Sequence, residues 1–398
     1  MDETDSIPIQ DLSRGWIASS PEAVEVAARV LKSGWYTHGL EHDAFETELA
    51  QYVGSQFAIG VASGTDAIRL ALQAVACGNG STVAVAPNAG AYAAVAAASL
   101  GASCICLDVD PRTLLVTADT IRRALHTGVD AIVVTHLFGN LADMPKIVEL
   151  CQPAGIPVIE DCAQALGGVI SGRSAGTWGT AGAFSFYPTK NLGGAGDGGA
   201  VVTSDPRVAA DIRRLRQYGW DTKYTIGRAG GLNSRLDDIQ AALLRAGLPR
   251  LTVANERRNE ILDSYRTATD EAHIRLVTGD GCDTTGHLAV LEVLIPGQRD
   301  KVRDLFDLHS IQTDLHYPML DLDQPGLTTV IRASEVPAAR NAVNNILTIP
   351  CFPELTDFEV ARVTKALKAA CMMLANRPSA SRIPLTEFDE FCEGVDED

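Results

Sequence analysis

The sequence predicts an α/β protein: a large domain on a mostly parallel sheet of about seven strands, followed by a smaller α+β domain. Three observations carry this. From Phe57 to about Cys162, near-continuous apolar runs alternate with segments of helical periodicity, the pattern of parallel strands covered on both faces. A later stretch, GAFSFYPTKNLGGAGDGGAVVTS from Gly182 to Ser204, places two short apolar strands around one lysine, Lys190. With 398 residues the chain has room for a full core and a second, smaller one.

Taken in order, the acidic start gives way to an amphipathic helix from Pro21 to Leu31, with Ser20 in the N-cap position. A loop around Gly39 precedes a helix carrying Phe45, Leu49 and Tyr52 at helical spacing. FAIGVA, from Phe57, is the first strand, and TDAIRLALQAVA is the helix after it. TVAVAP is a strand, followed by an alanine-rich helix from Tyr92; SCICLDV is a strand, followed by a helix from Ala118 to Leu125. DAIVVTHL, a helix from Met144 to Cys151, and the strand IPVIEDC continue the alternation. The strands flanking Lys190 bring the count to about seven. Helical spacing returns at Val208 to Arg216 and at Leu236 to Arg245.

A charged helix from about Val253 to Thr267 leads away from this domain. Residues 1–252 are therefore expected to hold the N-terminal segment and the large domain, and residues 253–377 the connecting helix and the small domain. The small domain contains the strand LAVLEVLI and the helices RDKVRDLFDLH and DFEVARVTKALKAACMML. Residues 378–398 are acidic and weakly periodic, as in a mobile tail.

Composition narrows the setting. No uninterrupted apolar run is long enough to span a bilayer, and MDETDSIPIQ is no secretory signal. Nine cysteines without CxxC spacing suggest reduced, buried thiols in a cytoplasmic protein rather than disulfides or a zinc site. A net charge of −17 argues against binding to nucleic acid or to anionic membranes. An anionic small molecule held by a few local cations remains compatible with it.

In open α/β sheets ligands sit beyond the carboxyl ends of the strands, and several features of this chain fall there. Ser63, Gly64 and Thr65 follow the first strand and open a helix, offering free N–H groups to a phosphate; the same tripeptide also serves as an ordinary capping turn. Glu160, Asp161 and Gln164 follow a buried strand, where a lone carboxylate commonly caps a turn. Ser185 precedes Lys190 on the glycine loop. A lone lysine on a β-connection is ordinarily a surface residue; its company sets Lys190 apart. An amine for a Schiff base, a carboxylate for a ring nitrogen and a phosphate cradle are what pyridoxal 5'-phosphate requires.

At these residues the chain resembles the DegT/DnrJ/EryC1/StrS family of sugar aminotransferases, from roughly Trp35 to Pro353. The motifs are SGTDA, VIEDCAQALGG, FSFYPTKN, GDGGAVVT, NSRLDDIQAA, HYP at His316 to Pro318, and IPCFPELTD. The resemblance implies a fold-type-I pyridoxal phosphate enzyme, with pyridoxamine 5'-phosphate as its intermediate form. It also implies a homodimer with shared active sites. Lys190 becomes the Schiff-base lysine, Asp161 the partner of the pyridine nitrogen, and Gln164 the neighbour of the ring hydroxyl. Gly64, Thr65 and Ser185 hold the phosphate, and Asn233 reaches it from the partner subunit. The family commonly stacks an aromatic residue four positions after a proline. Here APNAGAY puts Tyr92 one position later, and Tyr92 is the stacking candidate.

The implied reaction carries an amino group from L-glutamate to a nucleotide-linked keto sugar, with C3 of a dTDP-3-keto-6-deoxyhexose the nearest match. C4 sugar or aminocyclitol transamination is the alternative, and a non-catalytic cofactor-binding protein is an alternative of another class. Tyr187, Tyr224 and His316 are candidates to face the sugar. Related dehydratases carry histidine in place of the Schiff-base lysine, so Lys190 argues against that chemistry. The glycine run after Lys190 enters a strand deep in the chain, unlike a dinucleotide fingerprint. His136 reads as a structural residue near the cleft, and His38 and His42 lack a ligand framework, so no metal is assigned.

Overall fold

A computed structural model of the chain describes residues 6–279, 284–332 and 334–376. The expected acidic tail at 378–398 lies outside the described residues. All seven expected strands pair in one eight-stranded sheet. Its order is Phe57–Val61, Gly199–Thr203, Ala181–Ser185, Val158–Asp161, Ala131–Thr135, Thr82–Val85, Ser103–Cys106 and Ile331–Arg332. Only Gly199–Thr203 runs against the others, pairing antiparallel with both of its neighbours. The central strands are buried along their whole length, which is why they read as unbroken apolar runs.

The eighth strand departs from the expected count. Ile331–Arg332 returns from the C-terminal part of the chain and pairs parallel with Ser103–Cys106. Leu320, Leu327, Ile331, Val336, Ala339 and Ala342 accordingly pack into the same hydrophobic cluster as the large sheet. A second cluster gathers around the antiparallel sheet of Ile274–Leu276, Ala289–Val293 and Ile346–Ile349. The helices Leu251–Arg266, Arg299–Leu308 and Asp357–Ala375 contribute to it. The N-terminal segment crosses to this cluster: Ile7 is buried in it and bridges Ile311. Arg14 reaches Glu359, with Nη1 2.8 Å from Oε1.

The seven described cysteines are free and buried. Among the described residues no helix is long and apolar enough to cross a membrane.

Candidate active site

The sheet brings its chemistry to one edge. Val61 pairs with Gly199 and Ser185 with the same residue, so the Ser63–Thr65 turn and the Lys190 loop meet there. The helix Gly64–Ala74 starts on this edge, with Ser63 Oγ accepting from Asp66 N at 3.1 Å. Close backbone approach explains two of the glycines. A Cβ at Gly64 would sit 2.7 Å from Ser185 Cβ, and one at Gly199 would sit 2.4 Å from the Ser63 carbonyl. The turn, the strand end and the start of the helix are thus pressed together, leaving helix N–H groups to serve an anion. Gly64→Ala should add a contact costing about 1–3 kcal/mol. We expect cofactor affinity to fall at least several-fold, read as loss of visible absorbance on dialysis; undiminished retention would show that this close approach is not needed.

Lys190, Asp161, Gln164, Ser185, Gly64, Thr65 and Tyr92 all line one cavity of ≈ 560 Å³. Asp161 ends the strand Val158–Asp161 and is buried. Its carboxylate accepts from Ala163 N at 3.1 Å and from Thr135 Oγ1 at 3.2 Å. Burial raises its pKa, opposed by these donors and by the charge of Lys190. For Lys190 burial likewise dominates and lowers the pKa, with Asp161 acting in the other direction. Burial thus disfavours the charged form of each group relative to water.

Gln164 is oriented by its neighbours. Its Oε1 accepts from Phe138 N at 2.5 Å, and its Nε2 donates to Tyr317 Oη at 3.3 Å. The extra residue before Tyr92 is absorbed by backbone geometry. Gly90 and Ala91 adopt φ of 77° and 65°, and Ala91 N is held by Asp321 Oδ1 at 2.9 Å. This turn brings Tyr92 to the cavity, edge-on to Tyr317 with ring centroids 6.2 Å apart.

Tyr187 and His316 also line the cavity, and His316 Nδ1 lies 3.0 Å from Thr348 Oγ1. Tyr224 does not join them. It sits 77% exposed beside the hairpin of Trp220–Thr222 and Thr225–Ile226, outside this cavity of its own chain. Its placement has a local cause: Tyr224 has a φ of 70° in the hairpin turn and packs on Trp220. Asn233 is likewise exposed and outside the cavity, its backbone bridged to Gln217.

His136 buttresses the site. Its Nδ1 accepts from Ala142 N at 3.1 Å, which leaves Nε2–H to donate to Glu160 Oε2 at 3.1 Å. Glu160 also accepts from the backbone N–H groups of Gly176, Trp178 and Gly179 at 2.7–2.9 Å. Cys162 lies in the same cluster. Because both imidazole nitrogens are engaged, the cluster reads as a hydrogen-bonded brace rather than a ligand set.

Among the cavity residues not singled out from sequence are Tyr317, beside His316, and His287. A chain of amides sets the tautomer of His287. Asn255 Nδ2 donates to Leu166 O, so its Oδ1 accepts from Asn191 Nδ2 at 2.8 Å. Asn191 Nδ2 also donates to Thr285 O, leaving Asn191 Oδ1 as an acceptor 2.8 Å from His287 Nδ1. His287 must therefore donate from Nδ1, and burial together with the Lys190 charge keeps the ring neutral, with an acceptor nitrogen at Nε2. No local signal in TTGHLAVLEVLI marks this histidine, because its partners come from distant segments.

A lysine of lowered pKa, a buried carboxylate and a glycine-spaced helix N-terminus fit pyridoxal phosphate. Comparison with known proteins points the same way. The model of the DegT/DnrJ/EryC1/StrS aminotransferase family matches residues 18–368. The chain is 36% identical over 371 residues to the dTDP-3-amino-3,4,6-trideoxy-alpha-D-glucose transaminase of Streptomyces venezuelae, covering 92% of this chain and 96% of the relative. It is 34% identical to the UDP-N-acetyl-3-dehydro-alpha-D-glucosamine 3-aminotransferase of Acidithiobacillus ferrooxidans, covering 92% of this chain and 99% of that protein. Among solved structures, S. venezuelae DesV in complex with a ketimine intermediate superposes with a TM-score of 0.88 at 34% identity. That match covers 92% of this chain and 99% of DesV.

Proposed function

We propose that this chain, which belongs to the DegT/DnrJ/EryC1/StrS aminotransferase family and is a pyridoxal 5'-phosphate-dependent sugar aminotransferase, moves an amino group from L-glutamate to C3 of a dTDP-linked 3-keto-6-deoxyhexose. The observation that carries the reading is the meeting of Lys190, Asp161 and the Ser63–Thr65 turn in one cavity. When bound, the cofactor supplies a carbonyl that takes nitrogen from the donor and a ring that accepts an electron pair.

The residues then divide the work. Lys190 would hold the cofactor through its nitrogen between turnovers and, once freed as the amine, would carry the proton at the reacting carbon. Asp161 would keep the ring nitrogen protonated, and Gln164 would serve the ring hydroxyl. Gly64, Thr65 and Ser185 would hold the phosphate, and Tyr92 would pack against the ring. Tyr187 and His316 face the sugar.

Both relatives named above are described by amination at sugar position 3, one on dTDP and one on UDP. The shared position supports C3, and the stretch QYGWDTKYTIGRAGGLNSRLDDIQ supports the dTDP sugar. Incubation with glutamate and a panel of dTDP- and UDP-linked 3-keto and 4-keto sugars tests this, with products identified by mass and NMR. We expect a C3 amino product from the dTDP-3-keto sugar. Amination confined to 4-keto sugars would remove the C3 assignment, and turnover confined to UDP sugars would remove the nucleotide.

The functional unit in this reading is a cytoplasmic homodimer whose sites are built from both chains. Asn233 lies exposed outside its own cavity, available to a neighbour's phosphate cradle. Losing one hydrogen bond to a charged group costs about 1.5–3 kcal/mol, so Asn233→Ala should retain cofactor poorly yet fold. Mixing Lys190→Ala and Asn233→Ala chains and letting subunits exchange should restore activity. Such a heterodimer has one site free of both substitutions. No recovery after demonstrated exchange would place Asn233 in its own subunit's site.

A further inference from the structure

A second cavity, of ≈ 340 Å³, shares Gln10 and Lys190 with the first but has different walls. Leu12, Trp16, Leu192 and Leu251 give it an apolar body, and the backbone of Gly193 and Gly194 closes one side. Into this setting the helix Leu251–Arg266 delivers Arg258. Arg258 is 5% exposed and has no ion-pair partner within 4.0 Å among the described residues. Its Nη1 is buried without a hydrogen-bond partner. A buried guanidinium left in this state is costly unless something satisfies it.

The other charges at the cavity are differently placed. Arg250 is committed to Glu22, 2.5 Å away, and lies over the Trp16 ring. Lys190 serves the first cavity. Asp11 is turned to its own loop, with Oδ1 accepting from Ser13 N at 3.0 Å and from Ser13 Oγ at 2.6 Å. Glu354 lines the wall and favours the charged form of Arg258, but stands beyond ion-pair distance. With Lys190 assigned to the first cavity, Arg258 is the unpaired cation left to this apolar chamber, which matches one anionic head on an apolar body. The planar fork of a guanidinium suits a carboxylate, which it can hold with two parallel bonds. A second carboxylate on the same molecule would meet leucines, Asp11 and Glu354.

We propose that this cavity binds a small organic monocarboxylate, its head on Arg258 and its hydrocarbon part against Leu12, Trp16, Leu192 and Leu251. The site adjoins the cofactor cavity through Gln10 and Lys190 but is otherwise walled by different residues, and it is independent of the sugar assignment. An occupant would rest on Leu192 to Gly194, the loop that follows Lys190, and so brace the segment that positions the lysine.

Calorimetric titration of the holoenzyme with hexanoate, hexanol and glutarate tests the assignment. Hexanoate should bind, with hexanol and glutarate each at least about tenfold weaker, since each lacks one half of the match. Saturating glutamate should leave hexanoate binding unchanged. Arg258→Met should weaken hexanoate at least about tenfold, with retained cofactor colour reporting an intact fold. Should that variant fail to fold, Ala254→Leu narrows the cavity and keeps the arginine, and it should weaken hexanoate as well. Four results would each overturn the proposal: no hexanoate binding, equal binding of hexanol, competition by glutamate, or binding unchanged in whichever variant folds. Glutarate binding as tight as hexanoate would reassign the arginine to a dicarboxylate.

Discussion

Replacing Lys190 by alanine should abolish steady-state transamination while leaving the chain folded. The lysine stands on a loop held by other contacts: Lys190 N donates to Tyr187 O at 2.8 Å, Gly194 N to Phe186 O at 2.8 Å, and Ala195 N to Gln240 Oε1 at 2.8 Å. None of these needs the side chain. The chemistry does need it. Burial lowers the Lys190 pKa, so a larger share is neutral amine near pH 7 than for a surface lysine, and only the amine is nucleophilic. A positioned acid–base group contributes about 10²–10⁴-fold by itself, and in the proposed reaction Lys190 would also free the product. We therefore expect a loss beyond that range, with turnover at background. Borohydride reduction of the native holoenzyme and peptide mapping should place the pyridoxyl mass on the Lys190 peptide. A label on another lysine, or residual turnover within tenfold of native, would end the assignment.

What sequence could and could not reveal follows the range of the interactions. Strands such as Ala131–Thr135 are legible because burial on both faces forces an unbroken apolar run. Lys190, Asp161 and the Ser63–Thr65 turn are legible because each follows or ends such a strand, where topology sends ligands. Ile331–Arg332 leaves no trace, since two residues carry no periodicity and its partner Ser103–Cys106 is far away in sequence. His287 is hidden for a related reason. What matters about it, the protonated Nδ1, is decided by Asn191, Asn255, Leu166 and Thr285 on separate segments. Tyr92 lies between these cases: the aromatic residue is visible, but the positive φ of Gly90 and Ala91 that brings it to the cavity is not. Tyr224, like Asn233, lies outside its own chain's cavity, because the hairpin that carries it turns it outward, and nothing local to an aromatic residue in sequence encodes that direction.

Asp161→Asn should bind cofactor yet turn over about 10²–10³-fold more slowly, the range for losing one preorganised electrostatic partner. The substitution keeps the size of the side chain and removes a charge that burial already disfavours, so the fold has little to lose. Locally, an amide keeps one acceptor oxygen, and its NH₂ can no longer accept from Thr135 Oγ1 or Ala163 N. The rotamer that preserves the Ala163 contact leaves Thr135 to find another acceptor. The functional loss is larger because a neutral amide cannot hold a ring nitrogen in its cationic form. The pH profile separates this role from a packing role. The raised pKa of Asp161 means that the carboxylate is lost as pH falls through that value, so native activity should decline on the acid side. The Asn variant has no group to titrate there, and that part of its acid limb should be absent. Asp161→Glu restores the charge at a shifted position and should recover part of the rate, which a purely steric account would not allow. Turnover of the Asn variant within a few-fold of native, with the acid limb intact, would mean that another group protonates the ring.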